Sequence, residues 1–155
     1  MTSQIDLRLA ELEIELPDAP NPVANYQPYV VSGNLVFTSG QVTIWNGEIL
    51  HQGKIGRDMT VEQGYEAARM CGLNLIAQVR EACAGNLDRV KRVVKLGAFV
   101  NCVEDFTEHP AVVNGASDLM AEIFGDAGRC TRTNVGANSL PLGFAVEIDG
   151  VFEIE

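Results

Sequence analysis

Near the C-terminus, Arg132 and Glu147 stand on either side of a corner, Leu140-Pro141-Leu142-Gly143, and their types suit joint chemistry. An arginine offers a planar fork of donors that fits a carboxylate at two points, a geometry lysine cannot copy. A carboxylate fixed beside it can orient water or carry a proton. Together they suit the binding of a small carboxylic acid and the placing of a water molecule against it. If the corner folds its flanking strands antiparallel, Arg132 and Asn134 come to lie near Glu147 and Asp149. On the second strand Phe144, Val146 and Ile148 take one face, and Ala145, Glu147 and Asp149 take the other. Spacing alone favours a plainer reading, a surface cross-strand ion pair of small energetic weight.

Several elements must position these residues. Residues 4–13 read as a short amphipathic helix with Ile5, Leu9 and Leu12 on one side. The prolines of Pro17-Asp18-Ala19-Pro20-Asn21-Pro22 cannot continue it. Residues 1–22 are therefore expected to be a helical extension with a Pro-rich linker, and residues 23–155 a single α+β domain. Tyr29–Ser32 and Leu35–Ser39 flank the turn dipeptide Gly33-Asn34, and a smaller hairpin surrounds Asn46-Gly47. Thr60 and Gln63 form a capping box that opens a long helix. Its apolar stripe is Tyr65, Ala68, Gly72, Leu75, Ile76, Val79 and Cys83, and Gly85 stops it. Val93–Val103 is a β-branched strand, and a second helix runs from Pro110 to Gly125 with Val112, Ala116, Leu119, Met120 and Ile123 inward. This order predicts a mixed β-sheet with two main helices packed on one face.

Composition narrows the function. A net charge of −10, with no basic run longer than Lys91-Arg92, opposes a nucleic-acid partner. No apolar run approaches the roughly 20 residues of a membrane-spanning helix, and the acidic N-terminal segment does not read as a secretory signal. The cysteines at positions 71, 83, 102 and 130 form no CxxC pair and lie far from His51 and His109, so neither metal site nor disulfide framework is suggested. A cytoplasmic, metal-free and cofactor-free protein is expected. Cys130 reads as a small strand residue, with a reactive thiol beside Arg129 and Arg132 as the alternative.

Four ordered motifs add a resemblance. Pro28-Tyr29-Val30 with Asn34 through Gln41, Phe99-Val100 with Asp105-Phe106, Asn114, and finally Arg132 through Ile148 resemble the reactive-intermediate deaminase (Rid, YjgF-like) family. The likeness covers nearly everything from Pro28 onward. It implies a chorismate-mutase-like fold, a homotrimer with its helices outside, and hydrolysis of 2-enamino or 2-imino acids to 2-keto acids and ammonia. It implies that Arg132 anchors the substrate carboxylate and Glu147 positions or activates water. Tyr29, with Tyr26 as a rival, would contact the imine end, while Ser39 and Gly40 would offer donors and Asn114 a side-chain amide. Asn134 stands where some relatives have Cys and would alter the pocket floor. Cys130-Thr131, the longer Thr107-Glu108-His109-Pro110 connection and the N-terminal extension depart from the minimal pattern and suggest a side branch. A keto-acid-binding trimer without catalysis, a ribonuclease and a hydrolase dedicated to one degradation pathway are the competing readings.

Overall fold

A computed structural model of the chain describes residues 2–155. In its five-stranded sheet the long apolar strand β5 (Val90–Asn101) is flanked on one side by β6 (Thr131–Ala137) and on the other by the middle strand β7 (Val146–Ile154). Beyond β7 lie β2 (Leu35–Thr38) and then the edge strand β1 (Tyr29–Ser32). The β5–β6 pair is parallel and the other pairs are antiparallel, so the sheet is mixed. A separate ribbon joins β3 (Ile44–Trp45) to β4 (Glu48–Ile49). Gly33 holds φ 61° between β1 and β2, and Asn46 and Gly47 hold φ 48° and 87° between β3 and β4. These are the positive-φ turns that the two dipeptides favour.

Two long helices cover one face of the sheet. In α2 (Val61–Ala82), Gln63 N donates to Thr60 Oγ1 at 3.1 Å and Thr60 N donates to Gln63 Oε1 at 2.9 Å, completing the expected capping box. In α3 (His109–Phe124), Pro110 occupies the first turn, where its missing N–H costs nothing. Ala68, Leu75, Ile76 and Val79 of α2 and Val112, Ala116, Leu119 and Met120 of α3 are buried against Val36, Leu96, Ala98, Val100, Ile148 and Phe152 of the sheet. Truncating one such residue, Leu75→Ala, is expected to cost about 2–5 kcal/mol through lost burial and the cavity left behind.

A third helix, α1 (Gln4–Glu11), is capped by Ser3 and ends short of the expected position 13; two residues beyond it Glu13 takes φ 56°. Its first turn is also held from outside. Asp88 accepts from Gln4 N and Ile5 N, each at 2.9 Å, which keeps that carboxyl below its usual range. Arg8 Nε donates to Glu122 O at 2.9 Å, and Leu9 is buried in the core. No helix among the described residues is long and apolar enough to cross a membrane.

The expected hairpin between the last two strands is not formed. β6 and β7 lie on opposite sides of β5, and Leu140–Gly143 is part of a connection crossing the end of that strand. The physical reason is burial. Val146, Ile148 and Phe152 pair with Val100, Ala98 and Val93, placing β7 at the apolar centre, whereas β6 carries polar side chains suited to an edge.

Candidate functional site

The register fixes where the chemistry-bearing side chains point. Paired residues share a face, so Arg132 opposite Leu96 and Asn134 opposite Ala98 face the helices. Glu147 opposite Phe99 and Asp149 opposite Gly97 lie on the helix-free face. One copy of the chain therefore holds Arg132 and Glu147 on opposite faces of its sheet, and no surface ion pair forms between them.

Arg132 is firmly held. Its Nε donates to Asn134 Oδ1 at 2.8 Å, and its Nη1 donates to Asn114 Oδ1 at 2.8 Å and to Ser117 Oγ at 2.9 Å. All three acceptors are neutral, and no carboxylate lies within 4.0 Å of the guanidinium among the described residues. The motif residues Asn114 and Asn134 are thus brought together with Arg132. Ser117 joins them one helical turn beyond Asn114, a spacing that could have found it. A fixed cation without a counter-ion is suited to receive an anion.

Glu147 has a different setting. Burial pushes its carboxyl above the usual value, and neighbouring Asp149 pushes it further the same way. Burial also raises Asp149, against an opposing pull from Lys95 and a backbone donor at Gly97. No described residue donates a hydrogen bond to the Glu147 carboxylate. Gly40 packs directly on it: a Cβ there would stand 2.9 Å from Glu147 Cγ and Cδ, so a side chain would displace the carboxylate. The strand end is fixed by Gln41 N donating to Ile148 O at 2.8 Å and Ile148 N donating to Gln41 O at 3.0 Å.

Glu147 and Gly40 share a cavity of about 280 Å³ with Tyr26 and residues of the Pro-rich linker. Tyr29 lies elsewhere. Its ring packs on the core and borders a different hollow, with Gln78, Arg80 and Glu81. Tyr26 is thus the tyrosine beside Glu147. Ser39 donates its hydroxyl to Gln27 O at 2.5 Å, fastening the loop that carries Tyr26. Gln78 went unnoticed in the sequence because its helical position reads as core. It is buried and donates to Pro20 O at 2.7 Å and Gln41 Oε1 at 3.4 Å, linking the linker to the strand end.

Cys130 gives no support to the reactive-thiol alternative. Burial raises its thiol, outweighing the opposite influence of Arg132. A further hollow holds Cys102 Sγ 3.5 Å from His109 Nε2, but burial raises that thiol too. Beside it, Lys54 Nζ donates to Asn101 Oδ1 at 3.0 Å and to the carbonyls of Cys102 and Asn138, clamping strand ends together.

The fold recurs in known proteins. A protein from Trypanosoma cruzi named TCP17 is 44% identical over 99% of this chain and 96% of its own length. The 2-iminobutanoate/2-iminopropanoate deaminase of Dermatophagoides farinae is 29% identical over 92% of this chain and 95% of its own. A crystal structure from Shewanella oneidensis superimposes with a TM-score of 0.93 at 38% identity, covering 99% of this chain and 100% of that one. The family model described as "YjgF/chorismate_mutase-like, putative endoribonuclease" matches residues 6–148, and the Shewanella protein bears the same endoribonuclease description. With the mixed sheet, the helices on one face and the motif residues in order, the chain belongs to the YjgF/chorismate-mutase-like family.

Proposed function

We propose that this protein hydrolyses 2-imino acids, and their 2-enamino tautomers, to 2-keto acids and ammonia. The observation that carries the reading is the Arg132 guanidinium, held by three neutral oxygens and opposed by no carboxylate among the described residues. It is a ready anchor for a substrate carboxylate. The deaminase relative adds chemical weight to that choice.

The second half of the reaction falls to Glu147. In the protonated imine, C2 is electrophilic; Glu147 accepts a proton from water as the water oxygen bonds to C2. The same carboxyl returns that proton to the nitrogen of the resulting carbinolamine. The C–N bond then breaks, the nitrogen leaves as ammonia, and the hydroxyl oxygen becomes the keto oxygen as its proton passes to the Glu147 carboxylate and on to the ammonia, which departs as ammonium. Substrate and one water balance the products. A carboxyl raised above its ordinary value by burial is better matched to both transfers near neutral pH than a fully solvated one.

Anchor and proton carrier lie on opposite faces in one copy, so the reading requires a second copy to bring its Arg132 to Glu147. Val30, Phe37, Phe99 and Val135 are exposed on the helix-free face, an apolar surface suited to burial between copies. A homotrimer with its sites at subunit boundaries is the assembly we propose, acting in the cytoplasm on small acids. The metabolite-binding reading draws on one observation, that the Arg132 anchor is complete within a single chain while Glu147 is not part of it. A ribonuclease reading follows the family's description but conflicts with a net charge of −10 and with Glu147 and Asp149 side by side on the sheet.

The test is a coupled assay in which a dehydratase generates the imine from serine or threonine while keto-acid appearance is followed. Added protein should raise the rate of keto-acid formation above that of spontaneous hydrolysis. No acceleration at any protein concentration rejects the catalytic reading.

A further inference from the structure

The cavity above Glu147 has more apolar wall than hydrolysis at C2 requires, and most of that wall comes from two irregular segments. One is the linker together with the loop that follows it as far as Pro28, and this segment is tethered along its length. Asp18 N donates to Asn46 Oδ1 at 2.8 Å, Gln78 Nε2 donates to Pro20 O at 2.7 Å, and Gln27 O accepts from Ser39 Oγ at 2.5 Å. Between these ties Val23 borders the cavity while remaining 73% exposed. The other is the corner, where Leu142 borders the same cavity and is 62% exposed.

Leu142 holds φ 54° and ψ 17°, a left-handed conformation that residues other than Gly, Asn and Asp seldom adopt. It is kept there by Gln52 Nε2 donating to Leu142 O at 2.7 Å and by Gly53 N donating to Gly143 O at 2.8 Å. A γ-branched side chain in a disfavoured backbone state, aimed at a cavity and largely in water, does little for the core. Such strain points to a role in binding. Phe144 and Ile44 complete a surface on which, among the described residues, Glu147 is the only ionisable carboxyl.

We propose that this cavity receives the side chain of the substrate, and that the preferred substrate is a 2-imino acid with a branched aliphatic or aromatic side chain. The inference rests on the imine-hydrolase reading and deepens it. C2 of the substrate carries three groups: a carboxylate, a nitrogen and the side chain. The carboxylate goes to Arg132 of the neighbouring copy and the nitrogen must stay within reach of Glu147. The side chain is left facing the linker and the corner. A methyl group would leave that space to water against apolar walls, whereas a larger group expels the water and covers Val23 and Leu142. Each methylene placed in such a pocket is worth roughly 10-fold or more in kcat/KM.

The test uses the full-length protein and an L-amino-acid oxidase with catalase, which forms 2-imino acids in place from leucine, phenylalanine or alanine. Semicarbazide traps the imine that escapes hydrolysis. The wild-type kcat/KM should favour the leucine- and phenylalanine-derived imines over the alanine-derived one by about 10-fold or more. Leu142→Asn keeps a residue that tolerates the left-handed conformation, and Val23→Asp places a charge on the exposed linker. Each should reduce that preference about 10-fold, with the melting curve reporting whether the fold is kept. If Leu142→Asn fails to fold, Val23→Asp alone carries the comparison. A wild-type ratio at or below one, or a ratio that neither substitution moves, overturns the inference and leaves imine hydrolysis standing. If no imine is hydrolysed, the proposed function fails, and calorimetry with 4-methyl-2-oxopentanoate against pyruvate decides the cavity. Tighter binding of the larger acid upholds the apolar pocket, and equal binding overturns it.

Discussion

Arg132 and Glu147 are the two ends of one proposed reaction, yet the chain treats them in opposite ways. Arg132 is satisfied by Asn134, Asn114 and Ser117, so its orientation is set before any ligand arrives. Glu147 is half-buried, accepts from no donor among the described residues and has its carboxyl raised by burial and by Asp149. The first is preorganised for binding and the second is held at a cost to the fold, as a proton carrier needs to be. A preorganised cation on one sheet face and a destabilised carboxylate on the other are complementary surfaces. In the proposed assembly each would supply what the other lacks.

The largest effect should come from keeping the two surfaces apart. Phe37 is exposed on the helix-free face, on β2, paired with Val151 instead of with any residue of the site. Phe37→Asp is expected to leave each chain folded while preventing assembly, and activity should fall by about 10³-fold or more, the scale set by losing a proper orientation and a catalytic group together. Light scattering and the imine assay on the same sample check it. A wild-type protein that is monomeric at micromolar concentration and fully active would break the two-copy site.

Next in size is the anchor. Arg132→Lys keeps the charge but loses the fork, and Asn134, Asn114 and Ser117 lose a partner. We expect kcat/KM to fall about 10²- to 10³-fold, consistent with removing one member of a hydrogen-bonded charge pair. Circular dichroism should show the fold intact. Near-wild-type kcat/KM in this variant removes Arg132 from carboxylate binding.

Glu147→Gln should act on turnover more than on affinity. It removes the proposed proton carrier while keeping the shape against Gly40. We expect kcat to fall about 10²-fold, with keto-acid affinity measured by calorimetry changing far less. Loss of affinity with kcat retained would turn the contrast around and make Glu147 a binding residue.

The contrast also marks how far the sequence could be read. Local features were legible because their causes are local: the Thr60–Gln63 box, the Gly33 and Asn46-Gly47 turns and the buried stripes of α2 and α3 lie where periodicity put them. The partner of β6 was not legible. Alternation along a strand fixes which residues share a face but not which strand lies beside it, and a four-residue corner resembled a hairpin turn. That error placed Arg132 and Glu147 together in one chain, whereas the register of β5 separates them. The pocket beside Glu147 was half legible. Its Gly40 was read from a motif, but Tyr26 and the linker enter through Gln78 and Ser39, whose contacts join residues far apart in sequence. A stiff linker was evident from its prolines; the surface it would cover was not.

The smallest effect, and the one that most sharpens the contrast, lies in stability against pH. Glu147 is raised by burial and by Asp149, so the folded chain holds this proton more tightly than the unfolded chain does. A group of this kind favours the fold fully below its ordinary carboxylate value, about 4.3, and its contribution is lost as pH rises through the folded value. Glu147→Gln removes the titrating group, so the assembly-deficient Phe37→Asp protein carrying it should melt higher than its parent at pH 7. The difference should shrink as pH falls and vanish below about 4, where the parent carboxyl is itself neutral. Asp149, raised by burial in the same patch, will still titrate, so the comparison reads Glu147 against an otherwise common background. In the assembled wild type without substrate, the guanidinium of a neighbouring Arg132, its charge not yet offset by a bound carboxylate, should lower the Glu147 carboxyl again, and the same substitution should then gain less or become destabilising. Melting temperatures of the four proteins across pH 4–8 measure both trends. An equal gain in monomer and assembly would mean that no cation reaches Glu147 from another copy, and the two halves of the site would have to be separated again.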